Sequence, residues 1–139
     1  MASLFSKIHQ GEIPASTVFT QERWFGILDL FPVSPGHLLI IPTHEAALIH
    51  ELPDDTLAEL GAVIARGTAC LRQALNCDAV SVLLRDGTAA GQEIPHVHWH
   101  LVPRFDGDQA HHFGGGSYGS DTERQAAMDA MVTRLQAAW

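Results

Sequence analysis

The chain has 139 residues, 46% of them hydrophobic, and a formal net charge of −8 with its nine histidines neutral. That length supports one domain with a real core, and the acidic balance excludes the basic face on which broad nucleic-acid binding depends. No apolar run approaches the roughly 18 to 20 residues of a membrane span, and the start MASLFSKIHQGE turns polar too early for a secretory leader, so the expected location is cytoplasmic, without membrane or nucleic-acid partners.

In chain order, Leu4, Phe5 and Ile8 have helical spacing before Gly11 and Pro14, which predicts a short helical turn. Residues 17–21 (TVFTQ) and 24–29 (WFGILD) are β-branched and aromatic and read as a hairpin turning near Gln21-Glu22-Arg23. Residues 31–36 (FPVSPG) are turn chemistry. His37-Leu38-Leu39-Ile40-Ile41 is a nearly continuous apolar run, read as a central buried strand that Pro42 stops. His44 and His50 follow in a connection. Residues 54–76 give the clearest helix, capped by Asp54 or Asp55 and carrying a stripe of Leu57, Leu60, Ile64, Leu71 and Leu75. Gly61 and Gly67 either weaken it or mark close packing. Cys70 and Cys77 form no CxxC and read as small core residues. Residues 79–84 (AVSVLL) form another strand, and 85–95 form a loop containing Gly87 and Gly91. After Pro103 the chain loosens: 106–120 is read as a surface loop, the other reading being that His111 and His112, near Gly114-Gly115-Gly116, cap a pocket. A helix over 121–138 closes the chain, with Ser120 or Asp121 as its cap and Met128, Met131, Val132 and Leu135 as its apolar side. The elements predict a single α+β domain over 1–139, with several antiparallel strands and two main helices.

The chemistry concentrates in His96-Val97-His98-Trp99-His100-Leu101-Val102. Strict alternation is the pattern of a half-buried strand, so three imidazoles share one face at a sheet edge and Val97, Trp99 and Leu101 take the other. The backbones of His96 and His100 would lie about 13 Å apart, too far for all three to share one ion. A neutral imidazole is also a good nucleophile and proton carrier near neutral pH. A loop with two glycines leading straight into this row can present backbone N–H groups to a phosphate.

These residues resemble the histidine triad (HIT) family of nucleotide hydrolases and transferases, and its bacterial HINT-like members in particular. The likeness spans roughly residues 4 to 104. It includes the histidine run between Gly91-Gln92 and Pro103-Arg104, the segment Gly11-Glu12-Ile13-Pro14-Ala15, and Asp29 followed by Pro35-Gly36-His37 and Ile41-Pro42-Thr43-His44. The resemblance implies a five-stranded antiparallel sheet with two helices. It also implies homodimers that join two sheets into one through the 54–76 helix and the 79–84 strand. It implies that His98 attacks the α-phosphorus of a nucleoside phosphoramidate, dinucleoside polyphosphate or related ester, and that water then releases a nucleoside monophosphate. His100 and His37 would handle phosphate oxygens or the leaving group's proton, and His96 would orient its neighbours. Gly91 and Gln92 would hold the phosphate, Asp29 the ribose, and Ile8, Phe19, Phe25 and Ile27 the base. No cofactor is implied.

Three departures stand out. Many bacterial relatives bind structural zinc through a Cys-x-x-Cys pair and two histidines. Here Ser3-Leu4-Phe5-Ser6 stands in that place beside His44 and His96, and hydroxyls are poor zinc ligands, so no metal is expected. Arg85 replaces a phosphate-contacting amide and can bind phosphate through its guanidinium or point to solvent. Glu93 replaces a hydroxyl residue near the leaving group, where a carboxylate would disfavour anionic leaving groups. Two other classes compete with the hydrolase: a metalloenzyme built on His96 and His98, and a purine-nucleotide-binding or scaffold protein without turnover.

Overall fold

The computed structural model describes residues 2–109 and 112–139. The chain runs α1 (Leu4–His9), β1 (Thr17–Thr20), β2 (Trp24–Leu28), β3 (Leu38–Pro42), α2 (Asp54–Ala58), α3 (Leu60–Leu75), β4 (Ala79–Leu84), β5 (Trp99–Arg104) and α4 (Asp121–Ala138). The five strands form one antiparallel sheet in the order β1-β2-β3-β5-β4. This is the predicted α+β architecture.

Because strand side chains alternate, the sheet has two chemically distinct faces. Trp24 and Leu28 of β2, Leu38 and Ile40 of β3, and Val97, Trp99 and Leu101 enter one core with Val63, Leu71, Met128 and Leu135 of the helices. α3 packs on β3, β5 and β4, while α4 packs on α3 and β1. On the opposite face, Phe25, Ile27, Leu39 and Ile41 form a smaller cluster with Phe5 of α1. Both faces are covered, so β2 and β3 are buried at every position.

Several expectations need correction. The regular ladder of β5 begins at Trp99, not at His96. Pairing with β3 ends at Ile40–Trp99, and the Val97 N–H instead donates to the Ala46 carbonyl at 2.8 Å. Nor is the histidine strand at an edge, because β4 covers its outer side. Pro42 belongs to β3 as its last residue rather than stopping it beforehand. The long helix breaks at Glu59, and Pro53 holds the N-cap position, with Asp54 and Asp55 in the first turn. The buried side of α3 is Val63, Gly67, Cys70 and Leu71, so of the predicted stripe only Leu71 is fully buried. Ser120 is the N-cap of α4, without a side-chain cap bond to the helix. Cys70 and Cys77 are free and buried, as expected.

The two helix glycines separate cleanly. A Cβ at Gly67 would lie 2.6 Å from Leu101 Cδ2, whereas Gly61 faces open space. Gly67→Ala should therefore cost about 1–3 kcal/mol through overpacking, while Gly61→Ala should gain up to about 1 kcal/mol of helix propensity. Urea unfolding of the two variants checks the opposite signs.

Candidate active site

A cavity of about 760 Å³ opens mainly on the side of the sheet away from α3 and reaches Gln125 and Met128 of α4 at one end. α1 supplies Leu4, Phe5 and Ile8; the turn before β1 supplies Ile13; β2 and the chain after it supply Ile27, Leu28, Asp29, Leu30 and Phe31; and β3 adds Leu39, with His37 just before it. His98 and His100 line its floor, and Arg85, Gly91, Gln92, Glu93 and Ile94 form the loop side. Leu4, Leu30 and Phe31 stay 42%, 43% and 60% exposed at its walls. Large apolar side chains left in water around a cleft suit a ligand with a flat apolar part.

The hydrogen bonds fix the tautomers. His98 Nδ1 lies 2.8 Å from the His96 carbonyl. A carbonyl only accepts, so Nδ1 carries the proton and the Nε2 lone pair of His98 is left for chemistry. His37 Nδ1 accepts from the Val33 N–H at 3.1 Å, so its proton sits on Nε2, 3.0 Å from His100 Nδ1. His100 Nδ1 then accepts, and its own proton sits on Nε2. Neighbouring rings thus present opposite functions, a lone pair on His98 and a donor on His100, with centroids 5.0 Å apart.

Burial keeps these rings neutral. Desolvation lowers His37 to about 4 and His100 to about 3, with smaller pushes from other cationic groups, Arg85 among them. His98 is also lowered, again chiefly by burial. Asp29 moves upward because it is desolvated. Its Oδ1 accepts from the Phe31 N–H at 2.9 Å, and its Oδ2 lies 3.7 Å from His37 Nε2.

His96 stands apart from the other two histidines. It is fully buried. Nε2 donates to the Pro42 carbonyl at 2.9 Å, and Nδ1 lies 2.6 Å from Ser3 Oγ. Both nitrogens are used, so His96 has no lone pair to offer an ion shared with His98. The ligand atoms of Asp29, His37 and His100 lie within 4.8 Å of one another. A cation there would meet the His37 Nε2 proton, which the Val33 N–H holds in place. The segment that carries zinc-binding cysteines in many relatives does not fit zinc either. The Ser3 hydroxyl is committed to His96, and the Ser6 hydroxyl donates to Glu45 at 2.7 Å.

Other expected site residues fall elsewhere. Phe19 lies on the helix-covered face, stacked on Trp139 at 3.8 Å, because it fits over Gly26, where a Cβ would come 2.3 Å from its ring. Phe25 points to the site face but lies in the smaller apolar cluster, stacked on His9. Gln92 lines the cavity, yet its amide bridges the Gly87 N–H and the Ala47 carbonyl. The Gly91 and Gln92 N–H groups donate to Thr88 and Gly87 carbonyls. These two residues shape the loop with groups that were expected to hold phosphate. Ile8, Ile27, Asp29, Arg85 and Glu93 do reach the cavity.

Leu4, Phe5, Ile13, Leu30 and Phe113 are among the lining residues that no motif in the sequence marks as part of a site. The spacing of α1 revealed its apolar side but not what that side faces. Beyond β5, Phe113 and Gly115 line the cavity. Arg104 supports this stretch, with its guanidinium 5.0 Å from the Phe113 ring and Nη2 donating to the His112 carbonyl at 2.7 Å. The described part of 106–120 is an irregular, mostly exposed loop, as expected, and it also caps the cavity through Phe113; His112 is not among the lining residues, and His111 lies outside the described residues.

Residues 10–107 match the HIT domain. The chain belongs to the HIT family. An uncharacterised HIT-like protein of Methanocaldococcus jannaschii is 36% identical over 105 residues, covering 76% of this chain and 81% of that one. An adenosine 5'-monophosphoramidase of Schizosaccharomyces pombe is 31% identical over 133 residues, covering 96% and 97%. Among solved HIT structures, a zinc-bound histidine triad protein of Mycobacterium smegmatis aligns with a TM-score of 0.80 and 31% identity over 100% of this chain and 99% of that one.

The buried neutral histidines couple stability to pH. Below pH 6.5 the unfolded chain takes up protons that the folded His37 and His100 refuse, so stability falls as pH falls from 6.5 toward about 4. Each histidine should contribute a loss of up to about 1.4 kcal/mol per pH unit in that window. Urea titrations at pH 7 and pH 5 read the loss, and His37→Asn should reduce it while leaving the share of His100.

Proposed function

We propose that this HIT-family protein is a nucleotide hydrolase acting at an α-phosphate through a covalent nucleotidyl-histidine. The observation that carries the reading is the His98 Nδ1–H bond to the His96 carbonyl, which leaves Nε2 as an unprotonated nucleophile on the cavity floor. The Schizosaccharomyces pombe relative's name, adenosine 5'-monophosphoramidase, supports the hydrolase part of this reading.

In the proposed first step, His98 Nε2 bonds to the α-phosphorus, and the P–N or P–O bond to the leaving group breaks. The leaving group keeps the bonding electron pair and takes a proton from solvent. Water then attacks phosphorus and gives up a proton to solvent, the phosphorus–imidazole bond breaks with its electron pair returning to Nε2, and a nucleoside monophosphate departs with His98 restored. One hard displacement becomes two easier ones. His100 Nε2–H donates to a phosphoryl oxygen, with His37 fixing its tautomer, and the Arg85 guanidinium offsets the negative charge. Asp29 has lone pairs left for ribose hydroxyls beyond its bond to Phe31. Leu4, Phe5, Ile8, Ile13 and Ile27 enclose the base.

Homodimerisation is part of the proposal. β4 lies at the end of the sheet with Val82 48% exposed, and Leu57, Leu60 and Ile64 are only partly buried. An uncovered strand with apolar neighbours suits pairing with a second copy.

His98→Asn should abolish turnover of an adenosine phosphoramidate, by at least about 10³-fold, while AMP binding persists. Mass spectrometry of quenched wild-type reactions should find the adduct on His98. AMP binding without turnover of phosphoramidates or diadenosine polyphosphates would leave a nucleotide-binding protein instead.

Glu93 at the cavity rim should select among leaving groups. Glu93→Ser should raise kcat/KM for diadenosine polyphosphates relative to amine-containing phosphoramidates by about 3- to 10-fold, a rim charge effect of roughly 1 kcal/mol. Equal changes on both substrates would sink this assignment.

A further inference from the structure

Ser3 and Glu45 stand outside the cavity, and the reaction proposed above uses neither. They nevertheless join α1 to the histidine run through a continuous set of hydrogen bonds. The Ser3 N–H and the Ser6 hydroxyl both donate to Glu45 Oε1. Ser3 Oγ accepts from the Ser6 N–H at 3.0 Å and lies 2.6 Å from His96 Nδ1. With the His96 proton on Nε2 and bound to the Pro42 carbonyl, Nδ1 is an acceptor, so the Ser3 hydroxyl donates to it. The His96 ring is therefore held at both nitrogens, which fixes the stretch whose carbonyl faces His98 Nδ1. The same helix turn places the Phe5 ring edge-on against His96 and His98, with centroids at 5.6 and 4.9 Å.

We infer that Ser3 and Glu45 are positioning residues: through His96 they hold the His98 carbonyl contact that keeps the nucleophilic Nε2 deprotonated, and they dock α1 as the cavity wall. The chemistry of the donors favours a latch over a loose polar cluster. The Glu45 carboxylate is held down to about 2 by the Ser3 N–H and the Ser6 hydroxyl, so the anchor stays charged throughout the neutral range. Among the described residues no buried side-chain nitrogen or oxygen lacks a partner, so removing the Ser3 hydroxyl strands His96 Nδ1 in a fully buried place. A stranded acceptor favours a rotated or re-protonated ring, and either change moves the His96 carbonyl.

The consequence for turnover rests on the function proposed above, so the test has an arm that does not depend on turnover. In ¹⁵N–¹H spectra of the imidazoles, wild-type His98 should show a single Nδ1–H tautomer. Ser3→Ala and Glu45→Ala should turn it into a tautomer mixture and lower kcat about 10- to 100-fold, the scale of a displaced reacting group, with KM changed less than about twofold. Ser3→Thr retains the hydroxyl and should restore the single tautomer and the wild-type kcat. Glu45→Gln retains an acceptor oxygen and should lie near wild type. An unchanged His98 tautomer in Ser3→Ala, with only a lower Tm, would overturn the assignment. If the wild type turns over no nucleotide, the hydrolase reading falls, and the tautomer arm alone decides the latch.

Discussion

A neutral imidazole has one proton and two nitrogens, so whatever binds one nitrogen decides what the other can do. The site depends on that constraint applied ring by ring. A main-chain carbonyl takes the proton side of His98, and a main-chain N–H takes the lone-pair side of His37. His100 takes its state from His37 through a 3.0 Å contact. Two backbone groups thus set three side chains. Burial completes the arrangement by holding the rings neutral, which leaves a lone pair on His98 beside a donor on His100.

The sheet makes this possible by keeping its two faces separate. One face is packed with Trp24, Trp99, Leu101 and the helices, and it tolerates no gap: even a single methyl at Gly67 would collide with Leu101. The other face carries the cavity over a thin apolar layer of Phe25, Ile27, Leu39 and Ile41. The first face is close-packed and the second carries most of the candidate site, and alternating residues of the same strand serve both. Positions two apart in sequence therefore answer to unlike demands.

Much of this was legible in the chain. Alternation around His98 separated its two faces and marked its strand, and β-branched, aromatic or continuous apolar runs marked the other four. What escaped was partner choice. Phe19 and Ile27 look equally suited to hold a base, yet only the register over Gly26 sends Phe19 to the helices. Gln92 looked like a phosphate ligand, but its amide closes its own loop. Phe113 sits in a stretch with no periodicity, and its place depends on a guanidinium nine residues earlier. Such contacts join residues distant in sequence or set within irregular chain, and neither spacing nor composition records them.

Pro42 gives β3 an unusual end. The peptide ladder with β5 has already stopped at Ile40, and the cross-link beyond it runs from an imidazole nitrogen to the proline carbonyl. Elsewhere the rungs of the sheet are built from main chain and are indifferent to the letter written at each position. This one is spelled by the side chain alone. Of the three histidines in the run, the first is therefore an architectural joint, while the other two line the cavity, and three identical letters stand for three different physical duties.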